Sequence, residues 1–126
     1  MTKTIVKTAL APVAQGPYSQ AVSYGGLLFC SGQIPLDPAT GKLVEGGAAE
    51  QTRRAMENLG AVLGAAGMDF SHVLKTTLYL QDMGDFAEVN QAYGAFFTGD
   101  FPARATLQAG RLPLGARIEI DAVAGR

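Results

Sequence analysis

The sequence predicts an α+β fold, a sheet with two helices packed on one of its faces. Three observations carry the prediction. Residues 47–66 repeat apolar side chains at three- and four-residue spacing, the mark of an amphipathic helix. Residues 73–80 place side chains by alternation, as a strand does. The element order is strand, hairpin, helix, strand, helix, two strands, and strands mixed with two helices suit a single α+β layer pair. At 126 residues the chain is expected to form one domain spanning residues 1–126. Nothing in it supplies a third helix for the sheet's second face. A homo-oligomer packing sheet against sheet is therefore expected.

The elements follow in order. Residues 2–8 form a short strand, and a loop holding Pro12 leads to Gly16-Pro17-Tyr18-Ser19, where Gly-Pro punctuation sets Tyr18 in extended backbone. Residues 21–24 and 27–31 are strands joined by Gly25-Gly26, a strong hairpin signal. A surface turn spans residues 37–41. In the first helix Thr52, Ala55, Met56, Leu59, Val62, Leu63 and Ala66 form one stripe, and Gly67 stops it. Gly60 and Gly64 each cost that helix ~1 kcal/mol relative to alanine and leave room for a close neighbour. In the strand at 73–80, Leu74, Thr76, Leu78 and Leu80 share one face; Val73, Lys75, Thr77 and Tyr79 share the other. Asp82 to Asp85 cap a second helix, which runs to about Phe97 and turns Phe86, Val89, Tyr93, Phe96 and Phe97 inward, with Asn90 beside that stripe. Two β-like runs, 103–109 and 117–123, flank a bend at 112–116.

Composition narrows the function. Apolar residues make up 48% of the chain and charged residues 17%, which supports a real core and argues against disorder. The net charge of −1, with no cationic cluster beyond Arg53-Arg54, argues against a nucleic-acid partner. The lone Cys30 cannot form an internal disulfide, so a reducing, cytoplasmic setting is expected. One histidine, His72, and one cysteine make a metal centre an unlikely fit, and no metal or cofactor is expected. No apolar stretch reaches the length of a membrane span, and the amino-terminal apolar run is short and broken by Pro12, a poor signal peptide.

The stretch 102–120, PARATLQAGRLPLGARIEI, holds the chemistry. Arg104 heads one strand run and Glu119 sits between Ile118 and Ile120 in the other, so a guanidinium and a carboxylate are expected near one another on neighbouring strands. Read alone, each could equally belong to a structural ion pair. Ser31 and Gly32 end a strand where backbone N–H groups could be free, and Ser31 has no His-Asp pattern to make it a triad nucleophile. His72 is expected to be structural, and Arg111 and Arg117 to form surface or interface ion pairs.

These residues, together with Gly16-Pro17-Tyr18-Ser19-Gln20, Ser31-Gly32-Gln33-Ile34-Pro35, Lys75-Thr76-Thr77, Asp85-Phe86-Ala87-Glu88-Val89-Asn90, Phe101-Pro102-Ala103-Arg104 and Ile118-Glu119-Ile120, resemble the RidA family of enamine/imine deaminases over nearly the whole chain. The resemblance implies a chorismate-mutase-like fold and a homotrimer whose sheets form a central barrel, with helices outside and clefts between subunits. It implies hydrolysis of small 2-imino acids, such as 2-iminobutanoate and 2-iminopropanoate, to 2-oxo acids and ammonia. Carried over by motif, the catalytic residues are Arg104 and Glu119, and the substrate-binding residues are Tyr18, Ser31, Gly32, Asn90 and Thr106. One departure stands out: family members often carry Ser-Cys after this arginine, and here the pair is Ala105-Thr106, so no chemistry at that point can need a thiol.

The chemistry fits the residue types. An arginine fork matches a carboxylate bidentately, and a 2-imino acid carries one beside its reacting carbon. A carboxylate can orient a water and take its proton as it attacks the C=N carbon. Two other readings stand beside this one: a non-catalytic binder of small carboxylates, for which Arg104 alone would suffice, and a ribonuclease or translation inhibitor, which the charge balance disfavours.

Overall fold

The computed structural model describes residues 2–126. Its strands are β1 (Thr4–Val6), β2 (Ala21–Tyr24), β3 (Leu27–Gln33), β4 (Val73–Leu80), β5 (Ala103–Gln108) and β6 (Ile118–Gly125); its helices are α1 (Ala48–Ala65) and α2 (Phe86–Gly94). Short 3₁₀ turns occupy Phe70–His72, Met83–Asp85 and Pro113–Gly115. The strands form one mixed sheet in the order β1-β2-β3-β6-β4-β5, antiparallel except for the parallel β4–β5 pair.

The hairpin turn forms because both its glycines take positive φ, 59° at Gly25 and 83° at Gly26, as a two-residue loop matched to strand twist requires. Helix α1 starts where the Gly47 N–H donates to Glu50 Oε1 at 2.9 Å, a bond that holds the Glu50 carboxyl below its usual range. It stops where Gly67 turns left-handed and the Met68 N–H reaches back to the Leu63 carbonyl. Its expected stripe, from Thr52 to Leu63, is buried against the sheet with Leu28, Leu78, Leu80, Ile118 and Ile120. Gly60 lets the Phe70 ring close on the helix; Gly64 has open space beside it.

Both helices lie on one sheet face, as expected, with Tyr93 of α2 hydrogen-bonded through its hydroxyl to Thr76 of β4. The opposite face is uncovered in the single chain and carries Leu27, Phe29, Leu74 and Leu107, all substantially exposed. An apolar sheet face of this kind is what association between copies would bury.

Several expectations change. Strand β5 does not neighbour β6: β4 lies between them, because it pairs with both. A register shift between Val73 and Lys75 turns Val73 into the core and Leu74 out, the reverse of simple alternation. Asp82 caps only the 3₁₀ turn, accepting from the Gly84 N–H, and α2 ends at Gly94, short of Phe97. Phe96 and Phe97 still pack on the core from beyond the helix end, around Phe70.

Two buried amides hold the loops. Gln20 accepts from the Thr8 N–H and donates to the carbonyls of Thr8 and Pro12, fixing the segment that precedes Tyr18. Asn58, fully buried on α1, donates to the carbonyls of Ile34 and Leu36 and accepts from Arg54. Replacing Asn58 with alanine removes the partner of the buried Leu36 carbonyl and leaves the Ile34 carbonyl only the Leu36 N–H. The expected cost is about 1–3 kcal/mol, read as a lower urea midpoint at fixed protein concentration with an unchanged slope.

Candidate functional site

The seven residues singled out by sequence fall into two groups on opposite sides of the sheet. Ile118 and Ile120 point into the helix layer, so Glu119 between them points to the uncovered face. There it borders a hollow of about 650 Å³ with Tyr18, Ser31 and Gly32. The β3–β6 register shifts between Cys30 and Gln33, and Gly32 sits in that irregularity. The Glu119 carboxylate occupies the space that any Cβ at position 32 would need. A side chain at position 32 would have to displace that carboxylate, so glycine here serves its placement rather than a backbone angle.

The hollow's polar groups are partly committed. Ser31 donates its hydroxyl to the Ser19 carbonyl at 2.6 Å and its N–H to the Gln20 carbonyl at 2.9 Å. The expectation that the Ser31 N–H is free is therefore wrong: the chain entering β2 takes it. The Tyr18 hydroxyl accepts from the Gln15 N–H at 3.1 Å, and its own proton remains available to donate. Glu119 makes no ion pair among the described residues. Burial, and second the nearby Asp121 carboxylate, push its proton affinity above that of an ordinary glutamate. Arg117, one candidate partner, instead pairs with Asp85 at 3.3 Å.

Arg104 belongs to the other group. It pairs in register with Thr76, whose side chain meets Tyr93, so Arg104 also lies on the helix side. Its guanidinium carbon stands 5.2 Å from the Tyr93 ring centre and 5.7 Å from that of Phe86. Two aromatic faces hold the cation in place without neutralising it. It borders a hollow of about 290 Å³ with Asn90, Tyr93, Gly94, Phe101 and Pro102. Among the described residues Arg104 has no carboxylate partner. Asn90 Oδ1, on the same hollow, and Thr106 Oγ1, two residues along the same strand face, have no hydrogen-bond partner. Within one chain, then, Arg104 and Glu119 do not meet, and the expected proximity is corrected: the intervening strand and the two-residue alternation separate them.

The remaining candidates are structural. His72 accepts the Asp69 N–H through Nδ1 at 3.0 Å and closes the turn before β4. Cys30 faces the core, and burial, aided by Asp121, pushes its thiol up to about 12, which rules it out as a nucleophile. Among the described residues no cluster of potential ligands could hold a metal ion, and no helix is long and apolar enough to cross a membrane. Sequence reasoning missed Asp121 and Tyr79, which share the face of Glu119, and the alternation of β6 was the signal that could have found the first.

The family model described as endoribonuclease L-PSP matches residues 8–125. The chain belongs to the YjgF/RidA family. Protein DfrA of Myxococcus xanthus is similar to it, 55% identical over 126 residues, with 98% of this chain and 96% of that protein covered. The 2-iminobutanoate/2-iminopropanoate deaminase of Homo sapiens is 50% identical over 124 residues, covering 98% of this chain and 90% of that protein. Among solved structures, TdcF of E. coli with bound serine superposes with a TM-score of 0.94 at 39% identity, over 98% of both chains. The RidA-family fold thus accounts for the whole described chain, and the two groups of residues fall within the matched span.

The elevated proton affinity of Glu119 has a measurable sign. Its ionised form is disfavoured by folding, so its contribution to stability is best below the unfolded glutamate value and is lost as pH rises through the higher folded value. Glu119→Gln is accordingly expected to raise Tm at pH 7, with the gap over wild type closing near pH 4 (about the free-glutamate value). Thermal scans at the two pH values check this.

Proposed function

We propose that the protein hydrolyses small 2-imino acids to 2-oxo acids and ammonia, in clefts formed between copies of the chain. The observation that carries the reading is Arg104: a guanidinium without a carboxylate partner among the described residues, held over two rings at the edge of a hollow. Such a group is a receptor for a small carboxylate. The names of the relatives support the same reading: one is an iminobutanoate and iminopropanoate deaminase, and another binds serine, a molecule of the substrate's size.

Assembly supplies what one chain lacks. Arg104, Asn90 and Thr106 lie toward the helix side of an edge strand, and Tyr18, Ser31, Gly32 and Glu119 line the hollow on the other side. A homotrimer packing its uncovered, apolar sheet faces together would bring the Arg104 edge of one copy to the Glu119 hollow of the next. Each cleft would then hold both a carboxylate receptor and a proton acceptor.

In that cleft the substrate's carboxylate is gripped by Arg104, which fixes the adjacent carbon of the iminium. Water adds to that carbon as Glu119 takes its proton, giving a carbinolamine. Glu119 returns the proton to nitrogen. The carbon–nitrogen bond breaks with its electron pair leaving on ammonia, and the hydroxyl proton is released as the carbonyl forms. Iminium carbons are already electrophilic, so orientation and one proton relay suffice. Tyr18, which lines the hollow with a hydroxyl proton to spare, would donate to the oxygen being added.

The test generates 2-iminopropanoate in situ from alanine with an amino-acid oxidase and follows its loss. Wild type accelerates the loss, and Arg104→Ala lowers kcat/KM by at least about a hundredfold. Equal rates with and without protein would refute the reading, and binding of 2-oxobutanoate without turnover would favour a carboxylate-binding protein instead. RNA cleavage by purified protein that Arg104→Ala removes would favour the nuclease named in the family's description.

The shared cleft has its own test. Arg104→Ala and Glu119→Gln proteins, each inactive alone, are unfolded together and refolded as a mixture. Random co-assembly restores about a quarter of the wild-type rate, because that fraction of clefts draws both intact residues. No recovery would mean that one chain supplies both.

A further inference from the structure

Glu119 does not stand alone on the uncovered sheet face. Tyr79 of β4 is its register partner across the strand pair, and Asp121 follows it on the same side of β6. The Tyr79 hydroxyl donates to Asp121 Oδ2 at 3.0 Å. The Cα atoms of two acidic residues thus sit about 7 Å apart along one strand, and a phenol opposite them is bonded to the one farther from the hollow. Asp121 does not line the hollow, and no ion pair engages it among the described residues. The arrangement is therefore idle as a substrate contact, yet it is a built electrostatic environment for the carboxylate that is one.

The charges around Glu119 can be enumerated. The hollow it borders is lined from β3 by Ser31, Gly32 and Gln33, and from the turn after β5 by Pro113 and Leu114, none of them titratable. From the segment before β2 the lining includes Tyr18. From its own strand comes Asp121, and from β4 Tyr79. Lys75 shares the face, two residues along β4 from Thr77, the register partner of Asp121, and forms no ion pair with either carboxylate among the described residues. Within the chain, the nearby charge is negative, and one hydrogen bond moderates it.

We propose that Asp121 and Tyr79 are positioning residues for the reaction at Glu119, Asp121 making Glu119 the more willing proton acceptor and the Tyr79 hydroxyl limiting how far that effect goes. The inference rests on Glu119 acting as the proton relay of the preceding section. A neighbouring negative charge favours the protonated form of Glu119; the accompanying elevation of its proton affinity is in that direction. A carboxylate that holds a proton more firmly is a better base for water. By donating to Asp121, Tyr79 draws off part of that charge.

The two residues consequently act in opposite senses, and this separates an electrostatic role from a merely structural one. In Asp121→Asn the acid limb of kcat/KM for 2-iminopropanoate moves to lower pH by about half a unit, the size expected for one charge at that distance in a wet setting. In Tyr79→Phe the limb moves upward. Asp121→Glu, which keeps the charge, returns it close to wild type. The same midpoint is read without any turnover from the ¹³C shift of the Glu119 carboxyl carbon, assigned by its loss in Glu119→Gln. Opposite displacements in the two variants support the proposal. Midpoints that stay put, or move the same way in both, overturn it. If wild type consumes no imine, the functional reading fails, and the carboxyl titration still decides this inference.

Discussion

Strand β6 lies between β3 and β4, and its two-residue repeat governs both the core and the chemistry. Ile118, Ile120, Ala122 and Ala124 are buried under α1 and the rest of the helix layer. Glu119 and Asp121 are thereby committed to the opposite face, with no freedom to slip, because a shift of one residue would bury both carboxylates and expose the isoleucines. The core's demand for register is what aims the carboxylate. Its neighbours follow from the same constraint: β4 sets Tyr79 opposite, and the irregularity in β3 brings Gly32 against the Glu119 carboxylate.

Arg104 is governed from elsewhere. Its strand is the sheet edge, pairing only with β4, and its side chain leans on α2 through Phe86 and Tyr93. The edge leaves it accessible, and the rings fix it without supplying a counter-charge. A guanidinium and a carboxylate kept apart by an intervening strand cannot neutralise one another within a chain. Each remains able to act on a third party. A resident ion pair would have to be broken before Arg104 could bind any other carboxylate, and this arrangement avoids one within the chain.

Much of the fold was legible in the sequence, for reasons that can be named. The stripe of α1 and the Gly25-Gly26 turn are local patterns with one physical solution each, and both appear as read. The side of the sheet to which Glu119 points was legible from its flanking isoleucines. The order of strands was not, because β5 and β6 are adjacent in the chain but the partner of each is β4, which local pattern cannot express. The reversed faces of Val73 and Leu74 come from a register shift that leaves no compositional trace. The candidate site residues were reached through motif resemblance more than through pattern: Asn90 and Thr106 are unremarkable by residue type, and only the orphaned oxygens beside Arg104 single them out physically. Asn58 and Gln20 were passed over because buried amides within apolar or loop segments give no periodic signal.

The lone thiol acquires a meaning in this setting. Cys30 immediately precedes Ser31 in the chain, yet the strand turns it into the core while the hollow opens on the other side. With its proton held up to about 12, almost none of it is thiolate at neutral pH. Burial and the raised proton affinity together keep the only thiol from alkylation or oxidation through the hollow beside it while the chain stays folded.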